Sequence, residues 1–264
     1  MAQGAIFRLL ILLTVASTSF SQSIIQTWPP KQALLASDGI SGHRKIPNDL
    51  YCESWRFTVE TNDAGIWTRV PARCVGYVKE YMTGDKYSAD SEAVADDSLA
   101  YAKTVELSGD GKDAWIFDID ETLLSNVPYY TSHGFGSEIS DEDSFDNWVD
   151  MAEAPAIPAS LRLYKELEEL GFTIILLTGR TEVQRKATEL NLQNAGYSNW
   201  ERLILRANSD HDKTATIYKS ERRKQLEDEG YKIHGNSGDQ WSDQMGFAVA
   251  KRSFKLPNPI YVIA

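Results

Sequence analysis

At 264 residues the chain can bury a full hydrophobic core, and that length suits one α/β domain carrying an appended segment. A formal net charge of −11 and an isoelectric point near 4.9 argue against a nucleic-acid binder, because phosphate backbones are held by clustered Lys and Arg. A small anionic substrate needs only a local positive pocket, and the remaining acidity serves solubility.

Met1 to Arg8 carries one positive charge and runs into the apolar stretch Leu9 to Ala16, after which small and polar residues follow. These are the three regions of a secretory signal peptide, with cleavage expected between Ser19 and Gln22, so residues 1–21 are set apart from the fold. The apolar stretch is shorter than the roughly 20 residues that span a bilayer, and no later stretch qualifies. A soluble mature protein on the secretory route is expected, with the vacuole and the extracellular space as its destinations and no membrane partner.

Residues 22 to about 50 mix Gln, Pro, Ser, Gly and Lys without periodicity and read as an irregular lead-in. Cys52 and Cys74 are the only cysteines and lie near Trp55 and Trp67. In an oxidising compartment they are expected to pair, worth roughly 3 kcal/mol for a loop of this length. Two free buried thiols are the alternative; without a CxxC or a Cys/His cluster, a catalytic or zinc role is set aside. Helical spacing predicts one helix from Pro71 to a stop at Gly84 and another from about Asp90 to Leu107, completing a helical N-terminal segment over residues 22–110.

Beyond Gly111 short apolar runs alternate with amphipathic stretches. The predicted strands are Ala114 to Phe117, Phe172 to Leu177, Arg202 to Leu205 and Tyr231 to His234; the predicted helices are Ser160 to Leu170, Glu182 to Asn194 and Ser220 to Glu229. Each helix stops at a glycine, as a left-handed C-terminal cap requires. Strands separated by helices of ten or more residues mean an α/β core over residues 111–264, with a Rossmann-like parallel sheet flanked by helices and ligands at the carboxyl ends of its strands.

The first strand runs straight into Asp118 and Asp120, two carboxylates on one side of an extended chain, whose repulsion calls for a cation or a proton. A bare DxD is usually an acidic surface turn; the preceding strand and the following Glu-Thr-Leu-Leu favour a functional pair. After the second strand, Thr178 can donate to a phosphoryl oxygen, and Gly179 lets backbone N–H groups approach it, although Thr-Gly is also ordinary turn chemistry. Lys219, near a helix start, would ordinarily be solvated. After the last strand, Asp239 and Asp243 have the spacing to hold a hard cation such as Mg²⁺, and the lack of a histidine cluster disfavours zinc or binuclear iron.

In this chain order these stations resemble the haloacid dehalogenase superfamily of phosphohydrolases. The runs DIDETLLSNVPYY from Asp118, YKS from Tyr218 and GDQWSD from Gly238 resemble the plant acid phosphatases of subfamily IIIB, whose relatives include vegetative storage proteins. CESWR from Cys52, VPARC from Val70 and FKLPNP from Phe254 extend the resemblance over nearly all of the mature chain. The resemblance implies Asp118 as nucleophile forming an aspartyl-phosphate, Asp120 as general acid and base, and Thr178 and Lys219 as stabilisers of phosphoryl charge, with Lys213 as the fallback for Lys219. It also implies Mg²⁺ held by Asp118, the Asp120 backbone carbonyl and Asp239, with Asp243 ordering its waters. Small phosphomonoesters are the expected substrates.

Residues 125–158 occupy the place of a superfamily cap but are too few for a large cap domain, so an open site is expected. Their aromatic residues, Tyr129, Tyr130, Phe135, Phe145 and Trp148, are expected mostly to pack, with His133 and His211 as auxiliary groups at most. A storage protein with little catalysis is the rival reading, since some storage relatives lack the nucleophilic aspartate that this chain keeps. A homodimer is compatible with the surplus of aromatic residues in the first half, and core burial accounts for them equally well.

Overall fold

The computed structural model describes residues 46–139 and 141–263; the signal peptide and most of the lead-in lie outside the described residues. Helix α1 (Asn48–Glu60) leads through a 3₁₀ turn at Ala72–Cys74 into α2 (Val75–Thr83) and α3 (Asp85–Ala102). Cys52 on α1 and Cys74 at the turn form the expected disulfide, with Cα atoms 5.3 Å apart. Gly84 separates α2 from α3 rather than ending the helical region, and α3 begins and ends about five residues earlier than its periodicity suggests.

After β1 (Asp113–Phe117) the chain makes two short helices, α4 (Val127–Ser132) and α5 (Glu142–Met151), before α6 (Pro158–Leu170). The remainder is β2 (Thr173–Thr181), α7 (Arg185–Asn194), β3 (Arg202–Arg206), α8 (Ala215–Asp228), β4 (Lys232–Gly238), the one-turn α9 (Trp241–Gln244) and β5 (Arg252–Lys255). Helix α6 ends on Gly171 at φ +94°, where only glycine is unstrained.

All strand pairs are parallel and the order is β3-β2-β1-β4-β5. Strand β1 is central and buried throughout, and its side chains divide by alternation. Trp115 and Phe117 join α3 and α6 in the larger core, with Tyr164, Leu167 and Leu192; Ala114 and Ile116 join Tyr218 and Leu226 of α8 on the opposite face. Gly235 on β4 lies against the Trp115 ring, where any side chain would collide. The chain leaves β1 toward β2 and β3 and later returns to the far side of β1 with β4. This is a topological switch point, and it opens a crevice at the carboxyl ends of β1 and β4. No helix among the described residues is long and apolar enough to cross a membrane.

Candidate active site

The chain leaves β1 at Asp118, whose N–H still donates to the Ser237 carbonyl at 3.0 Å. It then turns sharply, because the N–H groups of Thr122, Leu123 and Leu124 all reach the Ile119 carbonyl, at 3.2, 2.8 and 2.9 Å. The turn holds Glu121 at φ +50°, uncommon for a residue with a Cβ, and returns Leu123 and Leu124 to the core. Asp118 is left buried at the rim, and Asp120 keeps 18% of its side chain accessible.

From β4, Gly238 passes so close to Asp243 that a Cβ would strike its carboxylate, and α9 carries Asp243 back toward the strand end. Asp118, Asp239 and Asp243, all buried, each place one carboxylate oxygen within 4.8 Å of the others. Lys219 lies inside α8 rather than at its start, because the Thr214 side chain caps the helix earlier, at Ile217 N. From there its Nζ donates to Asp118 Oδ1 at 2.7 Å and to Asp243 Oδ1.

Three carboxylates thus share the cluster, and two of them pair with one ammonium. Burial pushes Asp118 well above the usual carboxylate range; Lys219 opposes this, while Asp243, Asp239 and Asp120 add to it. Burial and Asp243 push Asp239 up to about 6 against the pull of Asn258, Lys255 and Gln240. Burial alone would lower Lys219, but the two carboxylates outweigh it and hold the ammonium charged. An all-oxygen donor set with surplus negative charge fits a hard divalent cation. Asp239 is oriented by Thr122 Oγ1 at 3.2 Å on one oxygen and by Gln240 Nε2 at 2.6 Å and Asn258 Nδ2 at 2.7 Å on the other.

The Asp120 carboxylate turns away from this cluster to Arg180, which donates from NH2 to Oδ1 at 2.7 Å and from Nε to Oδ2 at 3.0 Å. Strand β2 runs further than its apolar run, so Thr178 and Gly179 lie within it. The buried Thr178 hydroxyl accepts the Arg180 N–H at 3.1 Å, which leaves its own hydrogen free to donate. A Cβ on Gly179 would meet nothing within 4 Å, so the protein itself does not require glycine there.

Lys213 is remote from the cluster's contacts, pairing with Asp210 at 2.9 Å and Glu221 at 2.5 Å. His211 is exposed, and His133 stacks on Tyr129 with ring centroids 3.9 Å apart. Tyr129, Phe135 and Trp148 are buried, as expected of packing residues. The roles of Arg180, Asn126, Trp148 and Asn258 around Asp120 and Asp239 went unseen in the sequence. Their partners lie up to 60 residues away, and only the charge of Arg180 at a strand end gave any signal.

An α/β fold with a carboxylate triad, a buried lysine and a DxD turn at its switch point has the architecture of a haloacid-dehalogenase-type phosphohydrolase. The family model described as HAD superfamily, subfamily IIIB (acid phosphatase) matches residues 39–264, and the chain belongs to that family. It is 49% identical to acid phosphatase 1 of Solanum lycopersicum over 265 residues, 98% of this chain and 99% of the relative. It is 40% identical to vegetative storage protein 2 of Arabidopsis thaliana over 218 residues, 82% of each chain. The class C acid phosphatase of Bacillus anthracis shares the fold, with a TM-score of 0.58 at 23% identity over 71% of this chain and 85% of that one. The chain is an acid phosphatase by family, a hydrolase of phosphoric monoesters.

Proposed function

We propose that the protein is a Mg²⁺-dependent acid phosphatase that hydrolyses small phosphomonoesters through an aspartyl-phosphate on Asp118. The observation that carries this reading is the Lys219 ammonium, 2.7 Å from Asp118 Oδ1 within the buried carboxylate cluster. Asp118, Asp239 and the Asp120 carbonyl would hold the cation, with Asp243 ordering its waters. When bound, Mg²⁺ would offset their charge and that of the phosphoryl group.

A carboxylate oxygen of Asp118 attacks phosphorus and the bond to the leaving oxygen breaks, with Asp120 supplying that oxygen's proton. Asp120 then takes a proton from the water that attacks the phosphoryl-enzyme, which frees the Asp118 carboxylate. Splitting the displacement in two, with acid–base help worth roughly 10²–10⁴-fold, replaces one difficult step by two easier ones. Lys219, the Thr178 hydroxyl and the backbone at Gly179 stabilise the three phosphoryl oxygens. The N-terminal sequence supports a secretory route, vacuolar or extracellular.

Hydrolysis of an aryl phosphate, followed from acidic to neutral pH with Mg²⁺ or EDTA, tests the reading. Turnover should require the cation and vanish in Asp118→Asn with the fold retained. Unchanged turnover in that variant would refute the nucleophile. The likeness to a vegetative storage protein favours a second role in storage, which would become the leading account if folded, Mg²⁺-loaded protein turned nothing over.

A further inference from the structure

We infer that Trp148 and Asn126 are positioning residues that aim Asp120 at the leaving group, and that helix α5 serves as the brace that holds them. The inference rests on the acid–base role of Asp120 proposed above and adds to it the device that sets the carboxyl's orientation and the oxygen that carries its proton.

Asn126 is wholly buried at the end of the turn that follows β1. Its backbone N–H donates to Glu121 Oε1 at 2.6 Å, and its Nδ2 donates to Asp120 Oδ1 at 2.9 Å and to Glu121 Oε2 at 3.1 Å. Its Oδ1 accepts the indole N–H of Trp148 at 2.8 Å. An amide can flip end for end, but an indole N–H only donates, whereas the Asp120 oxygen requires a donor. Only one orientation therefore satisfies both neighbours, and Trp148 keys it. Without that N–H, Asn126 Oδ1 would be buried without its partner and the amide's hold on Asp120 would loosen.

Helix α5 reaches the second grip on Asp120 as well. Asp146 accepts Gln184 Nε2 at 2.8 Å, and Gln184 Oε1 accepts the N–H of Thr181, the residue after Arg180, at 3.0 Å. Arg180 is further fixed by Thr188 Oγ1 at 3.2 Å. One helix of the 125–158 insertion thus ties together both groups that hold the carboxyl.

The two oxygens of Asp120 are not equivalent. Oδ1 takes N–H bonds from Asn126 at 2.9 Å and from Arg180 NH2 and Nε at 2.7 and 3.2 Å, whereas Oδ2 takes Arg180 Nε alone at 3.0 Å. Oδ2 is the oxygen with room for a proton. In the first step the Oδ2–H proton passes to the leaving oxygen as its bond to phosphorus breaks and the Asp118–phosphorus bond forms. In the second, Oδ2 accepts a proton from the attacking water.

A proton donor matters most to a leaving group that departs poorly as an anion, so kcat/KM is to be compared for glycerol phosphate and p-nitrophenyl phosphate. This ratio reports steps through leaving-group departure. Trp148→Phe keeps most of the ring and removes the N–H. It should cost about tenfold or more on the alkyl ester and no more than about threefold on the aryl ester, as a fraction of the full general-acid effect. Asp146→Ala, which cuts the other arm at an exposed position, should give a smaller loss with the same bias and guards against misfolding of the tryptophan variant. Equal losses on both substrates, or no loss in either variant, would overturn the inference. Asp120→Asn run on the same pair separates the two levels: without a leaving-group bias in that variant the acid–base reading itself fails, and with one there but none in the others only the brace fails.

Discussion

The Asp120 carboxyl sits between opposing influences. Burial alone would raise it, but the charge and hydrogen bonds of Arg180, with help from Asn126, prevail and hold it below the usual carboxylate range. The carboxylate therefore persists to lower pH than in a free aspartate. A first step that needs the protonated form gains as pH falls, in keeping with an acid phosphatase. Arg180→Met should let the carboxyl rise, so the alkaline limb of kcat/KM for an alkyl phosphate moves to higher pH even as the maximum falls. A limb that stays in place or moves down would show that Arg180 does not control this proton.

At the scale of elements, α8 builds much of the centre from residues that its sequence presents as a polar face. Lys219 and Arg223 are both buried, and the Arg223 guanidinium donates to the carbonyls of Asp243 at 2.6 Å, Met245 at 2.6 Å, Phe247 at 3.1 Å and Ala248 at 3.0 Å. Arg223→Met would strip these carbonyls of a donor at about 1–3 kcal/mol for each left unpaired. Unfolding in urea should show a loss of about 3 kcal/mol or more, and, at the proposed metal site, calorimetry should show weaker Mg²⁺ binding as Asp243 loses its anchor. Stability within experimental error of the parent would contradict the clamp. Helix α8 also marks where the sequence stops being legible, since hydrophobic periodicity is blind to buried cations and the helix was expected to begin at Ser220. Apolar runs located β1 to β4 and with them Asp118, Thr178 and Asp239. They under-measured β2 and β4 because β2 pairs with β3 again at Thr181 after an irregularity beyond Leu177, and β4 pairs with β5 through Gly235–Gly238, past the last apolar side chains. The short edge strand β5 and the Asn126–Trp148 contact have no local pattern to give them away.

For the molecule as a whole, working in acid requires a fold that survives there. Burial would raise Asp113, but hydrogen bonds from Ser108 and His234 outweigh it and bring it to about 2; in Asp210, bonds from Lys213 and Arg222 do the same, again to about 2. Each folded-state value lies below the ordinary one near 4, so the stability these carboxylates confer is complete above about pH 4 and is lost progressively as pH falls from there through about 2. Asp113→Asn should lower stability at neutral pH and flatten its decline between about pH 4 and 2, as read from urea midpoints; an unchanged slope would remove Asp113 from this account. On the proposed mechanism an Asp118 oxygen held beside Lys219 attacks phosphorus, and that attack would leave a mark that can be caught. Acid quench of the Mg²⁺-loaded enzyme during turnover, followed by peptide mass spectrometry, should find a hydroxylamine-labile phosphoryl group on Asp118 that disappears in Asp118→Asn. A phosphoryl group on another residue, or steady hydrolysis in that variant, would contradict the account.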